Sequence, residues 1–149
     1  MLTQEIKDFI AHCKKVKLSV TPQRITIYKE LIGNKNHPSP EEIYNAIKEE
    51  NPTISFATVY NTLETFEKYG FIKKVTPLHN KVRYDPVTKP HHHLVCIRCG
   101  KIYDVEMDKI NKIEIPGEII GENLLVDYSL RINIICKDCL EKENQNNTN

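Results

Sequence analysis

Residues 91–104 read HHHLVCIRCGKIYD and contain two kinds of metal ligand. The first kind offers imidazole and carboxylate groups, at His91, His92, His93 and Asp104. The second kind is the soft thiolate, at Cys96 and Cys99. Hard and soft donors select different metals, so the stretch raises the question of whether it builds one metal site or two.

Four of the five cysteines form two CxxC pairs, Cys96/Cys99 and Cys136/Cys139. Two such turns supply the four sulfurs of a tetrahedral structural zinc site. The 36 residues between Cys99 and Cys136 exceed ordinary zinc-ribbon spacing, so the metal must staple the ends of a small domain. A rubredoxin-like iron site would use the same ligands, and unligated buried cysteines are the plain alternative. Cys13 is interpreted as a small buried apolar residue.

The histidines predict a second, exchangeable site. His91 and His93 are two residues apart, so on a strand they point to one face while His92 points away. Asp104 follows the CxxC turn and can return to the same place. Imidazole and carboxylate together suit Fe²⁺, Mn²⁺ or Zn²⁺, and the alternative is a solvated histidine cluster. His37 alone, before a proline in a loop, is typical of an ordinary loop histidine.

Four helices are predicted in the first half. Residues 4–16 have helical apolar spacing. Thr21, Ser39 and Ser55 are predicted to cap the next three helices, which stop near Gly33, Asn51 and Gly70. In the fourth helix the predicted buried stripe is Phe56, Val59, Leu63 and Phe66. Residues 71–77 and 81–85 then give a hairpin signal, and the order is that of a winged helix-turn-helix.

The second half predicts a small mixed domain. Residues 85–90, DPVTKP, are interpreted as a hinge. Short strands are expected around the first CxxC turn and a long one over 124–136. A helix is expected near 107–113, broken before Pro116-Gly117, and about 143–149 should be disordered. The predicted α+β fold has a winged-helix domain at 1–84 and a small α/β metal-binding domain at 91–149.

Charge and composition limit the classes of function that the protein can have. Residues 1–83 carry 13 Lys/Arg against 9 Asp/Glu, and residues 84–149 carry 8 against 11. The basic first half permits nucleic-acid binding. The absence of a long apolar run and of a signal core predicts a cytoplasmic protein that does not enter a membrane. A His/Asp metal enzyme is the remote alternative, but the sequence has no HExxH and no nucleophile motif.

The motifs TPQR, HPSPEEIY, SFATVYNTL, RYD, HHHLVCxxCGKI and the late CxxC, in this order, resemble the ferric uptake regulator (Fur) family. The match runs from about residue 4 to residue 142. Aspartate at both carboxylate positions, Asp85 and Asp104, is similar to the peroxide-sensing branch, called PerR. The resemblance implies a regulatory Fe²⁺ or Mn²⁺ site of His37, Asp85, His91, His93 and Asp104, beside structural Zn²⁺. At the positions of a further family site, Pro90, His92, Asn111 and Tyr128, only His92 could serve, so that site is expected to be absent.

The resemblance also implies a homodimeric repressor on double-stranded operator DNA, with 1–84 as the DNA-binding domain and 91–149 as the dimerisation and metal-binding domain. The helix after Ser55 would enter the major groove, and the wing, which is the predicted hairpin of residues 71–85, would contact phosphates. The candidate DNA contacts are Ser55, Ala57, Thr58, Tyr60, Asn61, Lys73 and Lys74. Packing of Tyr60 on the hairpin and a merely solvated wing, which also carries Lys81 and Arg83, are the alternatives.

In the peroxide-sensing branch, hydrogen peroxide is the signal. Bound Fe²⁺ reacts with it, and a liganding histidine is oxidised, with His37 and His91 as the expected positions here. An iron-responsive repressor that does not sense peroxide remains the alternative.

Overall fold

The computed structural model describes residues 3–75, 82–105, 110 and 112–146. The chain divides into two compact units, Met1–Thr88 and Lys89–Asn149. Within the described part of the chain, no helix is both long and apolar enough to cross a membrane.

The first unit begins with four helices. They are α1 Gln4–Lys15, α2 Pro22–Gly33, α3 Pro40–Ile47 and α4 Phe56–Lys68. The predicted caps are confirmed: Thr21 accepts from the Arg24 amide, Ser55 accepts from the Thr58 amide, and Ser39 with Glu42 forms a full capping box. Each cap satisfies backbone N–H groups that a helix start would leave without partners.

The core of the first unit contains an aromatic cluster among more numerous aliphatic side chains. Phe9 stacks on Tyr28 with ring centroids 4.2 Å apart and also contacts Phe66 and Phe71. One part of the predicted α4 stripe is wrong: Phe56 is 39% exposed, and Thr62 is buried in its place. Phe56 is the first residue of α4, where the stripe runs off the core, and its ring instead meets the edge of Tyr44.

A hairpin completes this unit. Strands β1 Lys73–Val75 and β2 Arg83–Asp85 pair antiparallel, with Lys74 opposite Tyr84. The predicted turn at 78–80 lies outside the described residues. Asp85, which the sequence interpretation placed in the hinge, is the last residue of β2. The order of helices followed by a hairpin confirms the winged-helix prediction.

The second unit is built on a three-stranded sheet of order β4-β3-β5. Its elements are β3 His92–Cys96, β4 Ile102–Val105, α5 Gly117–Ile120, β5 Arg131–Ile134 and α6 Lys137–Asn146. Strand β3 pairs antiparallel with β4 and parallel with β5. The two strands predicted to flank the first CxxC turn are therefore confirmed as β3 and β4.

The long strand predicted over 124–136 is wrong, because only Arg131–Ile134 pairs with β3. Strand β3 begins at His92, and Pro90 just before it has no N–H to extend the ladder. The helix predicted near 107–113 falls mainly on residues outside the described ones, while 113–116 are not helical.

Helix α6 continues through 143–146, which the sequence interpretation assigned to a disordered tail. Two ion pairs lie along this helix. Arg98 binds Glu143 at 2.6 Å, and Lys137 lies 3.6 Å from Glu141, one turn further along the helix.

Candidate metal centres

The four motif cysteines converge in the second unit. The sulfurs of Cys96 and Cys139 lie 3.9 Å apart, and those of Cys99 and Cys136 lie 3.6 Å apart. All four are reduced, and their sulfurs lie within 4.8 Å of one another. Zinc–sulfur bonds of about 2.3 Å at tetrahedral angles place neighbouring sulfurs about 3.8 Å apart, so the cluster fits a four-cysteine zinc ion.

Electrostatics explain why this cluster suits a cation. Burial alone would raise the pKa of Cys96, but the backbone N–H groups of Cys99, Cys136 and Arg98 donate to its sulfur and lower the pKa to about 6. Burial and the neighbouring thiols raise the pKa of Cys139 to about 12. Four thiolates this close repel one another, so full ionisation requires a bound divalent cation.

The turn between β3 and β4 positions two of the four sulfurs. The Gly100 amide donates to the Cys96 carbonyl at 2.9 Å, and Gly100 takes φ +73°, which costs glycine little. Lys101, the next residue, binds Asp138 of α6 at 2.6 Å. This contact joins the first CxxC turn to the helix that carries Cys139.

The second donor cluster lies at the other end of β3. Asp104 Oδ1 lies 3.2 Å from His91 Nε2 and 3.4 Å from His93 Nε2. His93 and Asp104 are directly opposite each other in the β3–β4 ladder, and His91 returns to the same face by strand alternation. Metal bonds of about 2.1 Å place neighbouring ligand atoms roughly 3.0 to 3.4 Å apart, so the trio fits a divalent cation.

A hydrogen bond orients His91 for this role. Its Nδ1 lies 2.8 Å from the carbonyl oxygen of Lys89. A carbonyl only accepts, so Nδ1 carries the proton and the lone pair of Nε2 faces Asp104. Metal-binding histidines commonly have such a partner on the second nitrogen.

The remaining ligands predicted by resemblance lie together in the first unit. His37 Nε2 is 3.2 Å from Asp85 Oδ2, and both side chains are 2% exposed. The other oxygen of Asp85 accepts from the Val87 amide at 2.8 Å. His37 has φ +51°, an uncommon backbone region for a residue with a side chain. The loop therefore holds this imidazole against the carboxylate at some conformational cost.

His92 has a different role from its neighbours. The Leu130 amide donates to its Nδ1 at 2.9 Å, and its Nε2 donates to the Ile110 carbonyl at 3.2 Å. With both ring nitrogens engaged, His92 links β3 to the rest of its unit. Of the other positions of the further family site, Tyr128 donates to the Ile110 carbonyl and Asn111 lies outside the described residues.

The candidate DNA contacts lie on α4, at its cap and on β1. All except Thr58 are exposed: Ser55, Ala57, Tyr60, Asn61, Lys73 and Lys74. Tyr60 is 44% exposed. Lys74 pairs with Glu64 of α4 at 2.9 Å, so its ammonium group already has an anionic partner. Their contacts with DNA stay predictions.

Sequence reasoning missed the roles of four side chains around β2. Arg83 binds Glu42 and the His37 carbonyl rather than projecting from the wing, and Tyr84 binds Glu64. The alternation of side chains along RYD could have indicated that Arg83 shares a face with Asp85. No sequence signal indicated the partner of Tyr84.

Known proteins are similar to this chain along most of its length. The sequence profile of the ferric uptake regulator family matches residues 15–133. The peroxide-responsive repressor PerR of Staphylococcus aureus (strain Mu50) is 33% identical over 141 residues, which cover 95% of each chain.

Solved structures give a second view. The Helicobacter pylori ferric uptake regulator Fur matches with a TM-score of 0.75 at 27% identity, covering 91% of each chain. PerR from Streptococcus pyogenes matches with a TM-score of 0.53 at 27% identity, covering 93% of this chain and 95% of that one. With its helical DNA-binding part, its mixed-sheet domain and its four-cysteine cluster, the chain belongs to the ferric uptake regulator family of metal-dependent transcriptional repressors, and it is a regulator rather than an enzyme.

Proposed function

We propose that this protein is a homodimeric repressor that senses hydrogen peroxide through its regulatory metal site. The observation that carries the proposal is the donor set, in which both carboxylates are aspartates, Asp85 and Asp104, among imidazoles. The 33% identity to a peroxide-responsive repressor supports the same branch.

The regulatory site would combine the two donor groups. His37 and Asp85 come from the first unit, and His91, His93 and Asp104 come from the second. Such nitrogen and oxygen ligands suit Fe²⁺ or Mn²⁺, whereas the four cysteines suit Zn²⁺. A metal that binds both units selects the arrangement that fits operator DNA, which is a shift of a pre-existing equilibrium.

Within this site the chain's own residues set the reactivity. Lys89 fixes the tautomer of His91 and directs the lone pair of its Nε2 toward Asp104, while His37 Nε2 and Asp85 Oδ2 lie 3.2 Å apart, as two ligands of one ion would. Bound Fe²⁺ supplies the one-electron chemistry toward hydrogen peroxide that Mn²⁺ does not. The oxidation is expected on His37 or His91.

The experiment is a titration of operator DNA with Fe²⁺ or Mn²⁺, with and without hydrogen peroxide. A duplex selected from random DNA by the Mn²⁺-loaded protein would serve as operator. Both metals are expected to promote binding. Peroxide should abolish binding of the Fe²⁺ form and add one oxygen atom to a peptide containing His37 or His91, while the Mn²⁺ form keeps its affinity and mass. Unchanged binding of the Fe²⁺ form after peroxide would contradict the sensing role.

A second candidate is an iron-responsive repressor that does not sense peroxide. The higher TM-score with the Helicobacter pylori regulator, 0.75 against 0.53, favours it. The same titration separates the two, because this candidate responds to Fe²⁺ and ignores peroxide.

The operator is proposed to contact α4 and the wing. Ser55 caps α4, so the positive end of the helix dipole and the exposed side chains of Ala57, Tyr60 and Asn61 lie on the same half of the helix. Two copies in a dimer would bind two half-sites of a palindrome.

Two substitutions test this interface. Asn61→Ala should lower the affinity for the selected operator by about tenfold or more and leave the affinity for random DNA nearly unchanged, because base contacts specify sequence. Lys73→Ala should weaken both DNAs alike and reduce the slope of log affinity against log salt by about one. Fluorescence anisotropy at several salt concentrations measures both effects. If Asn61→Ala lost equal affinity for the selected operator and for random DNA, Asn61 would not be a base contact.

A further inference from the structure

Strand β2 holds the His37 loop with three consecutive residues. Arg83 Nη1 donates to the His37 carbonyl at 3.0 Å, and the Tyr84 amide donates to the Pro38 carbonyl at 3.1 Å. Asp85 meets the His37 imidazole at 3.2 Å. Arg83 and Asp85 share one face of the strand, so that face fixes both the backbone and the side chain of His37.

Arg83 also connects this loop to helix α3. The same Nη1 lies 2.9 Å from Glu42 Oε2, and that oxygen accepts from the Ser39 amide at 2.8 Å. The His37 loop, the start of α3 and β2 therefore form one hydrogen-bonded group. Movement of the His37–Asp85 pair must be shared by β2.

The opposite face of β2 meets the helix proposed to read DNA. The Tyr84 side chain is fully buried, and its hydroxyl donates to Glu64 Oε1 at 2.8 Å. Glu64 lies on α4, three residues after Asn61 and four after Tyr60, so all three belong to adjacent turns. Lys74 of β1 binds the same carboxylate, so Glu64 ties both strands of the hairpin to α4.

We propose that Tyr84 and Glu64 are positioning residues that couple the ligand pair His37–Asp85 to α4. The inference rests on the proposed function, since it concerns how metal binding reaches DNA. Tyr84 is the covalent neighbour of Asp85, about 3.8 Å away between α-carbons, so a shift of the carboxylate displaces the phenol. The buried ring passes that displacement to Glu64 because a close-packed core does not absorb it.

The protonation states suit this contact. Burial, and next the hydrogen bond with Glu64, raise the pKa of Tyr84 well above its ordinary value. The hydrogen bonds from Lys74 and then from Tyr84 lower the pKa of Glu64. The phenol therefore stays a donor and the carboxylate stays an acceptor at neutral pH, and a hydrogen bond to a charged acceptor is short and strong.

Tyr84→Phe tests the proposal, because it keeps the buried ring and removes only the hydroxyl. The measurement is the affinity for the selected duplex with and without Mn²⁺, in wild-type and variant protein. The ratio of the two affinities is the coupling between metal and DNA. We expect Tyr84→Phe to lower this ratio by about threefold or more, within the range that coupling networks show. Merely structural damage would weaken both states alike and leave the ratio unchanged.

Three further variants sharpen the result. Tyr28→Phe is the matched control. Tyr28 packs against the same core, but its ring contacts Phe9 and Phe66 rather than Glu64. The ratio of DNA affinities with and without Mn²⁺ should therefore equal that of the wild type. Glu64→Ala should lower the ratio as Tyr84→Phe does, and combining the two should add little. Glu64→Gln keeps an acceptor for the phenol and should retain most of the coupling.

The outcomes separate the two proposals. A wild-type affinity that does not change with Mn²⁺ overturns the proposed function, and this inference with it. If Mn²⁺ raises the DNA affinity of the wild type strongly, and raises that of Tyr84→Phe and Glu64→Ala by the same factor, this inference alone is overturned. A reduced ratio with an unchanged thermal melt by circular dichroism supports it.

Discussion

Cys96→Ser is expected to unfold the second unit and to abolish dimerisation. Its sulfur accepts from the Cys136 amide at 3.3 Å and lies 3.9 Å from that of Cys139. Structural zinc contributes roughly 10 kcal/mol or more to small domains that depend on it, which exceeds the stability of most domains of this size. Mass spectrometry should find one zinc per wild-type chain and none per variant, and light scattering should find a monomer or aggregates.

Cys13→Ala is the matched control, because it also removes one cysteine but lies in the core of the first unit. It should keep one zinc per chain and the dimer. A Cys96→Ser protein that remains a folded dimer without zinc would contradict the structural role of the site.

His37→Ala is expected to abolish metal-dependent operator binding while zinc, fold and dimer persist. A metal bound only by His91, His93 and Asp104 would act on the second unit alone. His37 and Asp85 are the two proposed ligands from the first unit, and without His37 the single remaining carboxylate would hold that unit too weakly. We expect the Mn²⁺ affinity to fall by at least about 100-fold, more than the typical loss when an outer partner of a ligand is removed. The measurement is a Mn²⁺ titration followed by DNA binding.

His12→Ala provides the control. His12 lies in the same unit, beside the Phe71 ring, and matches no ligand motif. It should bind operator at the wild-type Mn²⁺ concentration. If His37→Ala does the same, His37 is an ordinary loop histidine and is not a ligand that joins the two units.

Much of the local structure could be predicted because its causes are local. Three residues cap helix N-termini through hydrogen bonds to the amide three residues later. They are Thr21, Ser39 and Ser55. His93 and Asp104 face each other because a tight CxxC turn fixes the register of the strands that flank it. Such features depend on short stretches of chain, which is what a sequence pattern records.

The failures have long-range causes. Residues 124–130 have strand-like alternation, yet strand formation needs a partner, and the ladder with β3 begins only at Arg131, opposite His93. The contact between Tyr84 and Glu64 joins residues 20 positions apart, and no periodicity points to it. Arg83 was interpreted as a phosphate contact because a charged residue in a hairpin usually faces solvent. In the structure it instead binds Glu42 and the His37 carbonyl within the same unit.

The ladder between β3 and β4 has a consequence for the order in which the metals are loaded. The pairs His93–Asp104 and Val95–Ile102 run directly into Cys96, whose amide donates to the Lys101 carbonyl at 2.9 Å. Zinc on the four cysteines would therefore stabilise the turn and the ladder that bring Asp104 to the histidines, although the two clusters share no ligand. We therefore expect zinc to bind before the regulatory ion, and chains made without zinc to bind that ion more weakly than zinc-loaded chains.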